Sequence, residues 1–303
     1  MSINIVTSAD SNFVRPVAVM LQSVTDFHRG VALNVAIITD SILPEDRASL
    51  AEICEITWIS PPPDIGIGVE LPIYLSVASL WRLSIADLLP AAMDRVIYLD
   101  ADTLVRGSLQ SLWDIELASN TIAAVRDPVA PWFGSPAGPP WERLDLSPDE
   151  PYFNSGVMLI DLVAWRRDCV GRLALKVLRE VRLPWADQCA LNSVLVGKWT
   201  QVSPRWNLQA GHVSPTASTA TVEARSEMES SFRNPSIVHF NSGRLGRPWA
   251  SVCSHPFAAE WYAKLSKTEW SRWKPPRRSI KNRVASFYGT WRRKFLTIGT
   301  NTK

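Results

Sequence analysis

The chain lacks any pair of cysteines at zinc-site spacing. Cys54, Cys169, Cys189 and Cys253 are widely scattered, nothing in them suggests a disulfide framework, and a reducing compartment fits. No stretch reaches the ~18–20 uncharged apolar residues that a spanning helix needs. The first residues, MSINIVTSADSN, carry neither a basic region nor a long apolar run, so no signal peptide is expected. No internal repeat is present. Acidic residues are missing from one region altogether: from Arg272 onward there are ten Lys/Arg and no Asp/Glu. The formal net charge of +3 therefore hides an acidic body, with 22 basic and 29 acidic residues before position 272, and a basic tail that calls for an anionic partner.

What is present is ordinary globular composition, 46% hydrophobic and 20% charged over 303 residues, enough for a large core. Fourteen tryptophans are unusual; some suit binding surfaces and many will be core. The pattern alternates strand and helix. INIVTSAD reads as a strand, residues 13–27 as a helix, 33–40 as a strand, 44–54 as a helix opened by Pro and acids, 55–60 as a strand and 76–90 as a helix. Strands follow at 95–99, 121–127, 152–162 and within 236–249, with helices at 163–182 and 186–195. This order predicts an α/β fold with a largely parallel central sheet. Residues 1–265 read as one domain and 266–303 as a separate basic, aromatic-rich tail.

The strand RVIYL ends in Asp100, Ala101, Asp102. Side chains at i and i+2 on a strand point the same way, so both carboxylates can face one point beyond its carboxyl end. Two such charges repel unless a cation lies between them. The bland alternative is a solvated or capping pair in a turn. The continuously apolar run before them marks a buried strand, and ligands of open α/β sheets bind at such carboxyl ends, which favours metal or phosphate chemistry.

Taken in order, NIVTSADSNF, SLWRL, VIYLDADTLV, PYFNSGVMLIDL, ADQCALN and VHFNSGRLGRPW resemble the retaining glycosyltransferases of family eight, in particular the bacterial lipopolysaccharide galactosyl- and glucosyltransferases. The resemblance spans residues 3–265. It implies a single nucleotide-sugar-binding domain of the type A glycosyltransferase fold, a hexosyltransferase activity that draws galactose or glucose from UDP-galactose or UDP-glucose with retention, and a saccharide acceptor on lipopolysaccharide or another cell-surface glycan. It also implies Mn2+ (or Mg2+) held by Asp100, Asp102 and His239; hard carboxylate oxygens suit either ion and an imidazole favours Mn2+. Read alone, His239 is more often a core histidine at a strand end.

The resemblance assigns Asp10, Asn12 and Phe13 to the uracil and ribose, although Asp10 and Asn12 can also cap the next helix. It sets Arg82 near the diphosphate and donor sugar, where an exposed helix arginine is the alternative. Asn154, beside Ser155 and Gly156, would touch the donor sugar, and Asp187 and Gln188 would meet its hydroxyls and reactive face. An amide is a poor nucleophile, so front-face substitution is expected, with phosphate oxygens helping to take the acceptor proton. Two positions depart from the family. Cys189 stands where many relatives have a second acid, which leaves the donor sugar open. Arg247 stands where a lysine usually reaches the diphosphate, in a turn about two residues longer, and would grip phosphate bidentately. In the Pro/Gly-rich loop at 127–150, Trp132, Phe133 and Trp141 offer rings for an acceptor sugar, or are surface aromatics pinned by prolines.

The tail interleaves its charges with Trp273, Phe287, Tyr288, Trp291 and Phe295. That pattern fits an interfacial segment on an anionic membrane, hence a cytoplasmic protein peripheral to the inner face. No recognition motif supports nucleic acid. A haloacid-dehalogenase-type phosphatase is rejected, because Leu104 stands where its motif needs Thr or Val. The remaining rival is a catalytically inactive nucleotide-sugar-binding protein, and the full set of expected metal ligands argues against it.

Overall fold

The computed structural model describes residues 2–213, 222–241 and 246–275. Its centre is a seven-stranded sheet in the order β3-β2-β1-β4-β7-β6-β8. The strands are β1 Ser2–Ser8, β2 Ala32–Ile38, β3 Ile56–Ile59, β4 Arg95–Leu99, β6 Ile122–Arg126, β7 Phe153–Asp161 and β8 Trp199–Gln201. All adjacent pairs run parallel except those made by β7, which is antiparallel to both β4 and β6. The largely parallel α/β sheet read from the sequence is therefore present, with one strand reversed.

β4 shows how the sequence builds the sheet. Val96 and Tyr98 enter one apolar layer with Trp81, Met158 and Ile160, while Ile97 and Leu99 enter the opposite layer with Ile5, Val17 and Leu159. A strand with both faces covered has no polar side to alternate with, which is why it reads as an unbroken apolar run. The helix Val14–Phe27 buries Val17, Met20, Leu21 and Val24, an i, i+3, i+4, i+7 stripe, onto the second layer.

Of a second sheet only one strand, the one read within 236–249, is expected from the sequence. This sheet consists of β5 (Thr103–Val105), β9 (Leu208–Gln209) and β10 (Ile237–His239), in the order β5-β10-β9. β5 starts one residue after Asp102 and pairs antiparallel with β10, His239 opposite Thr103. β9 pairs parallel with β10, Gln209 opposite His239.

Two helices differ from expectation. Residues 76–90 form a 3-10 helix, Val77–Ser84, and a single α-turn, Ile85–Leu88. The stretch 163–182 is broken into Leu162–Arg167 and Val170–Glu180, because Cys169 takes a left-handed φ of 52°. Just beyond the break, Gly171 lies against the carbonyl oxygen of Leu83 with no room for a Cβ, so the second helix packs closely on the 3-10 segment.

The helix Ala258–Leu265 closes the body against Val14–Phe27. Asp26 accepts from Lys264 Nζ at 2.7 Å and Lys267 Nζ at 2.9 Å, and the Arg15 guanidinium lies 5.0 Å above the Trp273 ring. The first ten residues of the 266–303 segment thus run along the body; residues 276–303, with most of the basic charge, lie outside the described residues. Among the described residues no helix is long and apolar enough to cross a membrane.

Candidate functional site

The reversed strand assembles the site. Because β7 is antiparallel to β4, its first residues lie beside the carboxyl end of β4, and the Asp100 N–H donates to Gly156 O at 2.7 Å. The β5–β10 pairing then carries His239 over Asp102. His239 Nε2 lies 3.1 Å from Asp102 Oδ1 and 3.5 Å from Asp100 Oδ2. Ligand atoms of the three residues lie within 4.8 Å of one another. Gly156 makes room for them: a Cβ there would lie 2.6 Å from Asp100 Oδ2 and 2.8 Å from His239 Nδ1. Two carboxylates and one imidazole, packed so closely that a methyl group on residue 156 would displace them, are a donor set that fits a hard divalent cation.

The charges are set by burial and by one another. Asp100 Oδ1 accepts from Arg82 Nη2 at 2.8 Å and Tyr98 Oη at 2.9 Å, which leaves Oδ2 turned towards His239. Burial pushes the Asp102 carboxyl up, but the His239 charge and hydrogen bond, with Arg247, more than offset it and hold it below its usual range. Burial pulls the His239 imidazole down, and Asp102 and Asp100 outweigh it, so the ring's affinity for a proton is raised. A site that raises proton affinity at this nitrogen holds negative charge in excess, which a metal cation would neutralise.

Arg82 is the hub of the floor. Its Nε lies 3.0 Å from Asp187 Oδ2, its Nη1 donates to Ser155 O at 3.0 Å and Ser155 Oγ at 3.2 Å, and its guanidinium stacks 4.7 Å above the Tyr98 ring. It is 7% exposed, so it is no solvent-facing helix arginine. Burial raises the Asp187 carboxyl to about 6 despite Arg82, which divides its charge between Asp187 and Asp100.

Above this floor a cleft of about 340 Å3 is lined by Asp10, Asn12, Phe13, Arg82, Asp100, Asp102 and Arg247, with Ile73 and Tyr74 at its rim. Asp10 also caps the turn after β1, accepting from Asn12 N at 2.9 Å, so its capping reading holds. Phe13 makes an edge contact with Trp249 at 6.1 Å, and the Arg247 guanidinium lies 5.8 Å from each of those rings. Arg247 Nη2 reaches to 3.9 Å from Asp102 Oδ2. A larger hollow of about 620 Å3, around Ser203, Arg205, Glu227 and Ser230, lies apart from these residues, and its Arg205 is spent on Ser236 Oγ.

Asn154 and Gln188 lie beneath the cleft in one buried network. Gln188 Oε1 accepts from Asn154 Nδ2 at 2.9 Å and from the Ser155 N–H at 3.2 Å, and its Nε2 donates to Asp127 Oδ2 at 3.2 Å. Cys189 Sγ lies 3.0 Å from Tyr152 Oη, and burial pushes the thiol up to about 12, so it stays neutral and supplies no substitute for a carboxylate.

Phe133 is a correction. Its ring is fully buried, edge-on to Tyr152 at 5.3 Å, because the loop backbone is tied down by the Trp132–Pro151 bridge and by Phe133 N donating to Glu150 O. It offers nothing to an acceptor. Trp132 is exposed, with the Arg126 guanidinium 4.2 Å above its ring, and Trp141 packs partly into the core. Sequence reading missed Asp127, Tyr98, Tyr152 and Asn207. The first closes the strand TIAAVRD ahead of a proline, as Asp100 closes its own strand, a signal within reach; the others carry none.

Comparisons with known proteins show the family and the fold. Residues 4–253 match the family model described as glycosyl transferase family 8. General stress protein A of Bacillus subtilis (strain 168) is 30% identical over 88% of this chain and 94% of its own length. The lipopolysaccharide 1,3-galactosyltransferase of Salmonella typhimurium is 26% identical over 88% of this chain and 79% of its own. Among solved structures, galactosyltransferase LgtC, crystallised with donor and acceptor sugar analogues, superposes with a TM-score of 0.76 at 25% identity, covering 88% of this chain and 96% of LgtC.

Proposed function

The chain belongs to glycosyl transferase family 8, and from that premise we propose that it is a metal-dependent, retaining hexosyltransferase that moves galactose or glucose from a UDP-sugar to a saccharide acceptor. The observation that carries the reading is the convergence of Asp100, Asp102 and His239 at the floor of a cleft that also holds Asp10, Asn12, Phe13, Arg82 and Arg247. Asp10, Asn12 and Phe13 would bind the uridine: carboxylate and amide to polar edges, the ring to the base face. Arg82 and Arg247 would grip the diphosphate, Arg247 through its planar fork. Bound Mn2+ (or Mg2+) would supply the counter-charge that lets the diphosphate depart.

The sugar would then rest over Asn154, Asp187 and Gln188. Asp187 is held by Arg82 and would accept from sugar hydroxyls. The Gln188 amide orients and polarises, while the acceptor oxygen enters on the side the diphosphate leaves, so configuration is retained. The acceptor would be a glycan of the lipopolysaccharide class or a related cell-surface saccharide, as the names of the galactosyl- and glucosyltransferase relatives suggest. The basic tail would hold the enzyme at the inner membrane face, where lipid-linked acceptors are met.

Release of UDP from a panel of UDP-sugars with Mn2+ tests the reading. Turnover is expected with UDP-galactose or UDP-glucose and loss of turnover in Asp102→Ala. Near-normal turnover of that variant would remove the metal assignment, and binding without turnover of any donor would favour an inactive nucleotide-sugar-binding protein.

A further inference from the structure

One side chain lies directly behind the metal-facing histidine and has no role in the account above. Asn207, fully buried just before β9, brings its Oδ1 to 3.0 Å from His239 Nδ1 and its Nδ2 to 2.9 Å from Asn154 Oδ1. The two ends of an amide look alike in outline, so its orientation must come from what its neighbours can donate or accept.

That chain of constraints closes without freedom. The Gly156 N–H can only donate, and it points at Asn154 Oδ1 at 3.0 Å. At the other end of the same amide, Asp127 Oδ2 receives Asn154 Nδ2 at 3.1 Å. Asp127 is a carboxylate whose Oδ1 already accepts from the Val129 and Ala130 N–H groups at 2.8 and 3.0 Å. Asn154 is thus fixed at both ends, with its oxygen towards Asn207. Asn207 must answer with its NH2, which turns its own oxygen to His239. The oxygen only accepts, so His239 Nδ1 must carry the hydrogen. Nε2, the nitrogen between Asp100 and Asp102, is then the one whose lone pair is free for a metal.

We infer that Asn207 is a positioning residue for His239, held in orientation by Asn154 and Asp127, and that it presents Nε2 rather than Nδ1 to the metal. The inference rests on the reading of Asp100, Asp102 and His239 as a metal site. Backbone geometry supports it independently: β9 and β10 pair with Gln209 opposite His239, which seats the preceding turn behind the ring. A histidine that binds metal through one nitrogen ordinarily donates through the other, and loss of that partner costs about 10–100-fold in metal affinity.

The test is titration of the full chain with Mn2+ alone, free ion followed by electron paramagnetic resonance, for wild type, Asn207→Leu and Asn207→Asp. Asn207→Leu keeps size and removes both polar ends; its dissociation constant for Mn2+ is expected to rise about 10–100-fold. Asn207→Asp still accepts from Nδ1–H, so Mn2+ binding should stay within about three-fold of wild type. Its second oxygen, however, faces Asn154 Oδ1, which disturbs the amide that holds Gln188, so kcat should fall at least about ten-fold. A merely structural role would lower the melting temperature of both variants without this split between ion affinity and kcat. A folded Asn207→Leu that binds Mn2+ within about two-fold of wild type overturns the inference. If Asn207→Leu does not fold, Asn207→Asp decides, and a loss of more than about ten-fold in its Mn2+ affinity overturns it. A wild-type chain that binds no Mn2+ instead refutes the metal-site reading on which the inference stands.

Discussion

Replacing Gly156 by alanine adds one methyl group where the site has no space for it. The new Cβ would lie 2.6 Å from Asp100 Oδ2 and 2.8 Å from His239 Nδ1, where ordinary contact begins at 3.4 Å. The strand cannot yield, since Gly156 sits in the middle of a buried run and its carbonyl holds the Asp100 N–H. The ligands must move instead, by several tenths of an ångström, against the ~0.2 Å tolerance of a metal site. Overpacking of a core by one methylene costs about 1–3 kcal/mol. In a chain of this size each kcal/mol lowers the melting temperature by about 2–4 °C, so a fall of several degrees is expected with the protein still folded. Mn2+ affinity and kcat/KM should fall far more than stability, about 100-fold or beyond, equivalent to about 3 kcal/mol. Thermal melting, Mn2+ titration and UDP release on the same preparation measure all three. A folded Gly156→Ala protein with wild-type Mn2+ affinity and turnover would refute the argument that this glycine shapes the cation site.

Gln188→Ala should lower kcat and leave measurable turnover, because the amide orients rather than attacks; a covalent sugar trapped on Gln188 or Asp187 and seen by mass spectrometry would overturn front-face substitution. Deleting residues 276–303 should leave UDP-sugar hydrolysis intact and abolish co-sedimentation with anionic vesicles; the cut falls after Trp273 so that its contact with Arg15 survives. Equal vesicle binding by both forms would take the tail out of the account. Asp26→Asn should lower stability near neutral pH by about 1–2 kcal/mol, two charge-assisted bonds discounted for the exposure of Lys267. Burial pushes the Asp26 carboxyl up, but the two lysines hold it net below its usual value. The stabilisation is therefore complete above the unfolded carboxyl range near ~4 and fades as pH falls through the lower folded value. Melting curves from pH 7 to pH 2 should converge for wild type and variant, and a constant gap would count against the ion-pair cause.

The legible parts of the molecule were those with enough residues to show a period. β1, β2, β4 and β7 carry five or more residues of continuous or alternating apolar character, and all four appear where the sequence puts them. Of the small sheet only β10 was legible, as the strand within 236–249; β5 and β9 have three and two residues, too short for alternation to register, so the sheet itself was not foreseen. Yet that sheet brings His239 to Asp102, so only likeness to a family could pair residues so far apart in sequence. The break at Cys169 falls two residues before the nearest glycine, Gly171, and a left-handed cysteine is not something composition foretells. Phe133 was misplaced for the opposite reason. Prolines and glycines around it signalled a surface loop, while bonds from Phe133 N to Glu150 O and from Tyr152 N to Pro131 O fold that loop back onto the core.

The acids near Gln188 also bear on the proposed retention of configuration. A double displacement needs a carboxylate with a free lone pair on the face opposite the leaving diphosphate. Asp127 carries four donors, the N–H groups of Val129 and Ala130 and the amides of Asn154 and Gln188. Its charge is already spread over hydrogen bonds that hold the site together, which makes it a weak nucleophile. Asp187 is bound at 3.0 Å by Arg82, and freeing it would also disturb Asp100 on the other side of the same guanidinium. Two positions on from Asp187, Cys189 is a neutral, buried thiol bonded to Tyr152. Each group that might attack is thus committed elsewhere. Asn154 and Gln188, whose own polar atoms are all partnered and whose orientation is set by Asp127, would present the sugar with a fixed polar surface. Such a surface can steady developing positive charge at the anomeric carbon without bonding to it, which is what substitution on the face of the departing diphosphate requires.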